Sequence, residues 1–190
     1  MAPRTLTPLV AGDWVYLRAP SVDDTDEFLE MNRRSLSFYR SVGRPMLDRQ
    51  RFEAYVARCD QPNFVGLFVC RRTDDALVGC VNLSDLIRGQ FHSAYMGYQV
   101  FAPYARQGYM TAAMPLVLRY IFTSLKLHRV EANIQPTNTA SLALARRAGF
   151  EREGYSPRYL KIGGRWRDHE RWAITRERFR EVLQARRATR

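Results

Sequence analysis

The sequence predicts an α+β fold, one mixed sheet with helices on its faces. Two observations carry that expectation. Strand-like stretches meet directly across short turns at Thr73-Asp74-Asp75 and at Ile162-Gly163-Gly164-Arg165, so hairpins build an antiparallel sheet. Between the two hairpins the pattern becomes a β-α-β-α run, which lays helices against that sheet. The chain has 190 residues, and at roughly 100 to 200 residues per domain it reads as one domain over 1–190, with 176–190 as a basic C-terminal tail.

The elements follow in order. Trp14 to Ala19 alternates as a strand, and the Asp-rich stretch from Ser21 to Asp26 caps a helix carrying Phe28, Leu29 and Met31. A second helix lies near Asp48 to Cys59, where Phe52, Tyr55, Val56 and Cys59 recur at i, i+3, i+4 and i+7. Phe64 to Arg71 and Ala76 to Leu83 form the first hairpin, and Ala94 to Phe101 adds a strand. The helical period returns from Gly108 to about Leu127. Val130 to Gln135 reads as a strand, and Thr139 to Ala148 as a short helix closed by Gly149. Glu151 to Ile162 and Trp166 to Ile174 make the last hairpin. The tail from Arg176 to Arg190, with alternating charge around Phe179, Val182 and Leu183, reads as a frayed surface helix.

Composition excludes several classes. A hydrophobic share of 46% and an aromatic share of 12% rule out a disordered or collagen-like chain. No apolar run approaches the ~20 residues that span a bilayer, so no membrane partner is expected. The opening Met-Ala-Pro-Arg-Thr-Leu-Thr-Pro has no apolar stretch of signal-peptide type, which points to a cytoplasmic protein. Cys59, Cys70 and Cys80 are an odd number without CxxC spacing, as buried thiols in a reducing compartment would be. The 30 Lys and Arg against 19 Asp and Glu leave a net charge of +11, which suits a polyanionic partner or a solvated Arg-rich surface.

The most informative segment runs from Val100 through Ala105-Arg106-Gln107-Gly108 to Thr111, out of a strand and into a helix. A helix's first amides point outward and carry about half a positive charge, so a pyrophosphate is well received there. Gly108 lets the backbone approach closely, Arg106 adds charge and Thr111 offers a hydroxyl. Neither GxGxxG nor GxxxxGKT is present, and one glycine alone is a weak signal. After the next strand come Asn138-Thr139-Ala140-Ser141 and Arg146-Arg147-Ala148-Gly149-Phe150. Asn138 is also a good helix cap, and Ser141 a plain helix-start serine.

In that order, the strand, loop, helix, strand, Asn-x-x-Ser and Arg-x-Gly-Phe resemble the acetyl-coenzyme A site of the GNAT N-acetyltransferases. Gln90 to Tyr98, Glu153-Gly154-Tyr155, Tyr159-Leu160 and Gly164-Arg165-Trp166-Arg167-Asp168-His169 resemble the RimJ/RimL branch, whose RimJ-type members acetylate ribosomal-protein N-terminal alanine. The likeness is close from about Phe64 to Trp172 and loose before that. It implies a mostly antiparallel seven-stranded sheet with about four helices, and acetyl-CoA as cosubstrate with no metal. It further implies donor binding by Tyr98, Val100, Phe101, Arg106, Gln107, Gly108, Tyr109, Met110, Thr111, Asn138, Ser141 and Arg146, with Arg147 beside Arg146 as a second phosphate candidate. The expected partner is a ribosomal-protein N-terminus or a ribosome-associated substrate, with weak RNA contact through the basic surface.

Three positions depart from the family pattern. Ala105 stands where the phosphate loop begins with Gln or Arg, and Met110 where it ends in Gly or Ala. Ala145 stands seven residues after Asn138, where many members place the Tyr that protonates the departing thiolate, so Ser141 becomes the candidate thiol contact. Pro115, inside the helix, removes a hydrogen bond at a cost of about 3 kcal/mol.

Acetyl transfer needs a neutral amine, a polarised thioester carbonyl and a proton for the thiolate. Amides near Val100 and Phe101, on a strand splayed from its neighbour, would stabilise the oxyanion, a service worth about 3 to 4 kcal/mol per donor. An α-amine titrates about 2.5 pH units below a Lys, a difference of roughly 3.5 kcal/mol, so a protein N-terminus needs little base. The candidates are Glu131 and His92, with Tyr95 through a water; Glu131, on a polar strand face, reads first as a solvated or ion-paired carboxylate and only second as a base. His92, His128 and His169 have no metal spacing. Other readings are transfer to a small amine, or a non-catalytic ribosome or RNA binder on the same scaffold. The expected acceptor walls, Ser35 to Arg49 and Pro157 to Trp166, do not choose between them.

Overall fold

A computed structural model describes residues 7–39, 43 and 45–188. The strands are β1 (Val10–Ala11), β2 (Val15–Arg18), β3 (Phe64–Arg71), β4 (Leu77–Ile87), β5 (Ser93–Val100), β6 (Arg129–Ile134), β7 (Glu151–Ile162) and β8 (Arg165–Thr175). The helices are α1 (Thr25–Arg34), α2 (Arg49–Arg58), α3 (Tyr109–Arg119), α4 (Thr139–Ala148) and α5 (Arg176–Ala188). One sheet takes the order β1-β2-β3-β4-β5-β6-β8-β7, and every neighbouring pair is antiparallel except β5 with β6. The strand beyond the seven expected is β1, two residues long and too short to show a period of two.

The helix beyond the four expected is α5, and it does not fray. Phe179 is buried, with its ring 5.5 Å from that of Phe122, and an Arg186 guanidinium N–H donates to the Arg147 carbonyl at 2.5 Å. Leu183 packs partly buried against the same core, so the apolar residues of the tail form a docking face. The third helix is shorter than its pattern suggested. After Arg119 a π turn, Tyr120–Ser124, takes over, with Leu125 N–H donating to the Tyr120 carbonyl at 3.0 Å and the Thr123 hydroxyl to that of Arg119 at 2.6 Å. Pro115 lies in the interior of α3, which still runs unbroken to Arg119; nothing in the structure explains its presence.

Strand alternation feeds two cores. Leu67, Val69, Val81, Leu83, Val130, Trp172 and Ile174 pack under α3 and α4. Tyr16, Phe68, Cys70 and Phe101 pack under α1 and α2, where Phe28 stacks on Phe52 at 4.6 Å and on Phe68 at 5.6 Å. Cys70 and Cys80 are buried in this second core and Cys59 is half-buried, all three as free thiols. Burial pushes the Cys80 thiol up to about 12.

The first helix is anchored at both ends. Before its start the buried Arg18 guanidinium grips Asp24 through bonds of 2.8 and 2.7 Å, and Ser21 and Asp24 complete a capping box on the 3-10 turn Val22–Asp24 that leads into the helix. At its end the Ser35 hydroxyl donates to the Met31 carbonyl at 2.7 Å and accepts from Ala102 N–H at 2.9 Å. The segment after α1 is thereby tied to the exit of β5.

Candidate active site

The single parallel pair comes apart. Ser93, Ala94 and Tyr95 pair with Arg129, Val130 and Glu131, and from there β5 continues to Val100 and β6 to Ile134 without pairing. Each strand keeps its antiparallel partner on the other side, β4 and β8, so the split is a wedge within a continuous sheet. Phe101 N–H donates to the Val78 carbonyl of β4 at 2.9 Å. By the alternation of an antiparallel ladder, the backbone groups of Tyr98 and Val100 then face the wedge.

A cavity of about 620 Å³ fills this wedge, a size that holds a cofactor-sized ligand. One wall is donor-like. The chain enters α3 through two left-handed residues, Arg106 at φ 62° and Gly108 at φ 84°, and the first intrahelical rung runs from Ala112 N–H to the Gly108 carbonyl. The amides of Tyr109, Met110 and Thr111 precede that rung and open toward the cavity mouth. The Met110 side chain does not; it is buried in the core, which explains how Met is tolerated in a phosphate loop. Asn138 caps α4 by accepting from Ser141 N–H at 3.2 Å. The Tyr98 hydroxyl crosses the wedge to donate to the Ser141 carbonyl at 3.1 Å, and burial pushes its pKa up to about 12, so it stays protonated at neutral pH.

Several expected residues do reach the cavity: Tyr98, Val100, Arg106, Gly108, Tyr109, Met110, Thr111, Asn138 and Ser141 line it. Others do not. Phe101 is fully buried in the core under α1 and α2. Gln107 folds back on its own loop, donating to the Pro103 carbonyl at 2.8 Å. Arg146 lies over the Trp172 ring at 5.3 Å, and its neighbour Arg147 lines the cavity instead. Glu131 accepts from Arg129 Nε at 2.9 Å and lies outside the lining, so it takes the ion-paired form and is not positioned as a base. The same arginine holds Glu153, whose carboxyl is lowered by that contact.

The oxyanion donors expected near Val100 and Phe101 are both taken. Tyr39, on the segment after α1, seats its hydroxyl on Val100: Val100 N–H donates to Tyr39 Oη at 3.0 Å, and Tyr39 O–H donates to the Val100 carbonyl at 2.6 Å. Burial pushes this phenol up to about 12. No local signal could have marked Tyr39, because its partner lies 61 residues away. The cavity's other wall adds Phe38, Asn133, Gln135, Leu160, Ile162 and His169, so both stretches expected as acceptor walls contribute to it. Among the described residues, no group of three or more His, Cys, Asp or Glu side chains is placed to hold a metal, and no helix is long and apolar enough to cross a membrane.

A wedge that exposes strand backbone, set beside the free amides of a helix start, can hold an extended amide chain along the strand edge and an anion at the helix start. Residues 15–151 match the family model described as Acetyltransferase (GNAT) domain, and the chain belongs to that family as an acetyl-CoA-dependent N-acetyltransferase. It is 32% identical over 174 residues to the probable N-acetyltransferase YjcK of Bacillus subtilis, a match covering 87% of this chain and 96% of the relative. It is 40% identical over 99 residues to the [ribosomal protein uS5]-alanine N-acetyltransferase of Escherichia coli, spanning 52% of this chain and 51% of that one. The structure of Mycobacterium smegmatis RimJ in complex with CoA-disulfide superposes with a TM-score of 0.80 at 27% identity, covering 97% of this chain and 95% of the other. The relatives thus include ribosomal-protein-alanine acetyltransferases such as RimJ, which supports the likeness to the RimJ/RimL branch.

Proposed function

We propose that this enzyme transfers acetyl from acetyl-CoA, by direct attack, to a protein N-terminal α-amine, with ribosomal-protein alanine as the acceptor. The observation that carries the reading is the cavity itself. It runs without interruption from the α3 amides, through the β5–β6 wedge, to the wall of Phe38, Leu160 and Ile162. A donor's pyrophosphate meets the amides of Tyr109 to Thr111 with Arg106 and Arg147 beside it, and its pantetheine amides pair with the edge of β5 at Tyr98. The thioester then lies at the wedge, next to Ser141, which protonates the leaving thiolate. The amine arrives from the opposite wall. The relative named for uS5 alanine supports the choice of acceptor.

Two measurements test it. Calorimetry with CoA should give saturable binding; none at millimolar ligand removes any acetyl-transfer reading. Incubating ribosomal proteins with enzyme and acetyl-CoA should then add one acetyl mass to uS5. An unchanged mass profile, beside acetylation of small amines, would move the acceptor to the small-molecule class.

A further inference from the structure

We propose that His169 is the catalytic base that takes the proton from the acceptor amine, a role that rests on the acetyl-transfer reading above. Among the described residues it is the one histidine lining the cavity. His128 Nε2 instead lies 3.0 Å from the Glu177 carboxylate, and the His92 carbonyl accepts from the His128 and Arg129 amides where β5 meets β6. His169 is 1% exposed and borders the cavity.

The ring's tautomer follows from its neighbour. His169 Nδ1 lies 3.0 Å from the Arg167 carbonyl oxygen. A carbonyl only accepts, so the neutral ring carries its hydrogen on Nδ1 and keeps a lone pair on Nε2. No side chain among the described residues hydrogen-bonds to that Nε2.

A second observation on the same wall asks for the same ligand. Asn133 Oδ1 is buried and has no hydrogen-bond partner among the described residues, although Asn133 lines the cavity. Asn133 pairs with Arg171, two residues from His169, so the two are diagonal neighbours across β6 and β8 on one face, about 7 to 8 Å apart at the backbone. An orphan acceptor and a free imidazole lone pair both call for N–H donors. A primary amine bound between them supplies two, and one side chain orients the nitrogen while the other receives its proton.

The step balances. The neutral amine attacks the thioester carbonyl carbon, and the C–N bond forms as the nitrogen's proton passes to His169 Nε2. The C–S bond then breaks with its electron pair leaving on sulfur. The thiolate takes a proton from the Ser141 hydroxyl. Solvent restores that hydroxyl and removes the proton from the imidazolium.

His169→Asn tests the assignment, because the Asn amide can keep the bond to the Arg167 carbonyl while Nε2 is lost. CoA affinity should stay within twofold. kcat/KM on a uS5 N-terminal peptide should fall at least about 10²-fold, as removal of a general base does, and added imidazole should restore part of it. Activity within threefold of the parent overturns the proposal. Should H169N fail to fold, diethyl pyrocarbonate on the parent enzyme decides. His169 should be modified as activity is lost and be protected by the peptide; inactivated protein with His169 unmodified overturns the assignment. A parent enzyme that binds no CoA would instead sink the acetyl-transfer reading on which this one stands.

Discussion

The cavity's two walls are built on different principles. The wall at α3 and α4 is mostly backbone, with three helix-start amides, a left-handed glycine, a strand edge and an Asn-capped helix start, each feature formed by residues close to one another in sequence. The opposite wall consists of side chains, Tyr39, Asn133, Gln135, Leu160 and His169, drawn from four separate segments. A ligand common to a whole family is held by groups that every sequence possesses, so side chains such as Ala105 and Met110 can drift there. An acceptor that differs between relatives is met by side chains, which substitution can change one at a time.

The largest expected effect comes from intruding on the backbone wall. Gly79 of β4 faces Val100, and a Cβ there would lie 2.4 Å from the Gln99 carbonyl oxygen and 3.2 Å from Met110 Sδ. Gly79→Val should cost about 3 kcal/mol in urea unfolding and abolish CoA binding by calorimetry. Unchanged binding would show that the wall does not depend on the β4–β5 spacing. Next comes Ser141→Ala, for which kcat should fall about 10²-fold with CoA affinity unchanged. A change within twofold in steady-state assays would remove Ser141 as the thiolate's proton donor.

Tyr39→Phe probes the point where the walls touch. The hydroxyl fills both backbone groups of Val100, so its loss should destabilise the free protein by about 1 kcal/mol while removing a competitor to the donor. CoA should then bind about tenfold more tightly, or 1.4 kcal/mol. Weaker binding would make Tyr39 part of the donor site instead. The smallest effect separates adjacent arginines. Arg147→Ala should weaken CoA binding severalfold, more so at low salt, whereas Arg146→Ala, which strips a cation from the Trp172 ring, should leave affinity unchanged and lower Tm slightly.

Much of the donor wall was legible because its signals are local. The turn into α3 needs a residue that tolerates positive φ, and Gly108 stands there. The α4 start needs a capping acceptor, and Asn138 stands three residues before the amide it receives. Where the reading went astray, the deciding partner was distant or the choice lay between neighbours. Consecutive residues on a helix point about 100° apart. That step sends Arg146 over Trp172 and Arg147 to the cavity, and periodicity alone could not tell which.

By itself the sequence determined the order of strands and helices, the mixed sheet, and the glycine, Asn and Ser that shape the starts of α3 and α4. Backbone conformation there depends on neighbours within a turn or two. Only the tertiary structure decided that Tyr39 occupies Val100, that Arg129 engages Glu131, that α5 docks through Phe179, and that His169 lies buried beside the cavity. Each of these depends on a partner chosen by packing, and a side chain's partner across the sheet leaves no trace in the residues beside it.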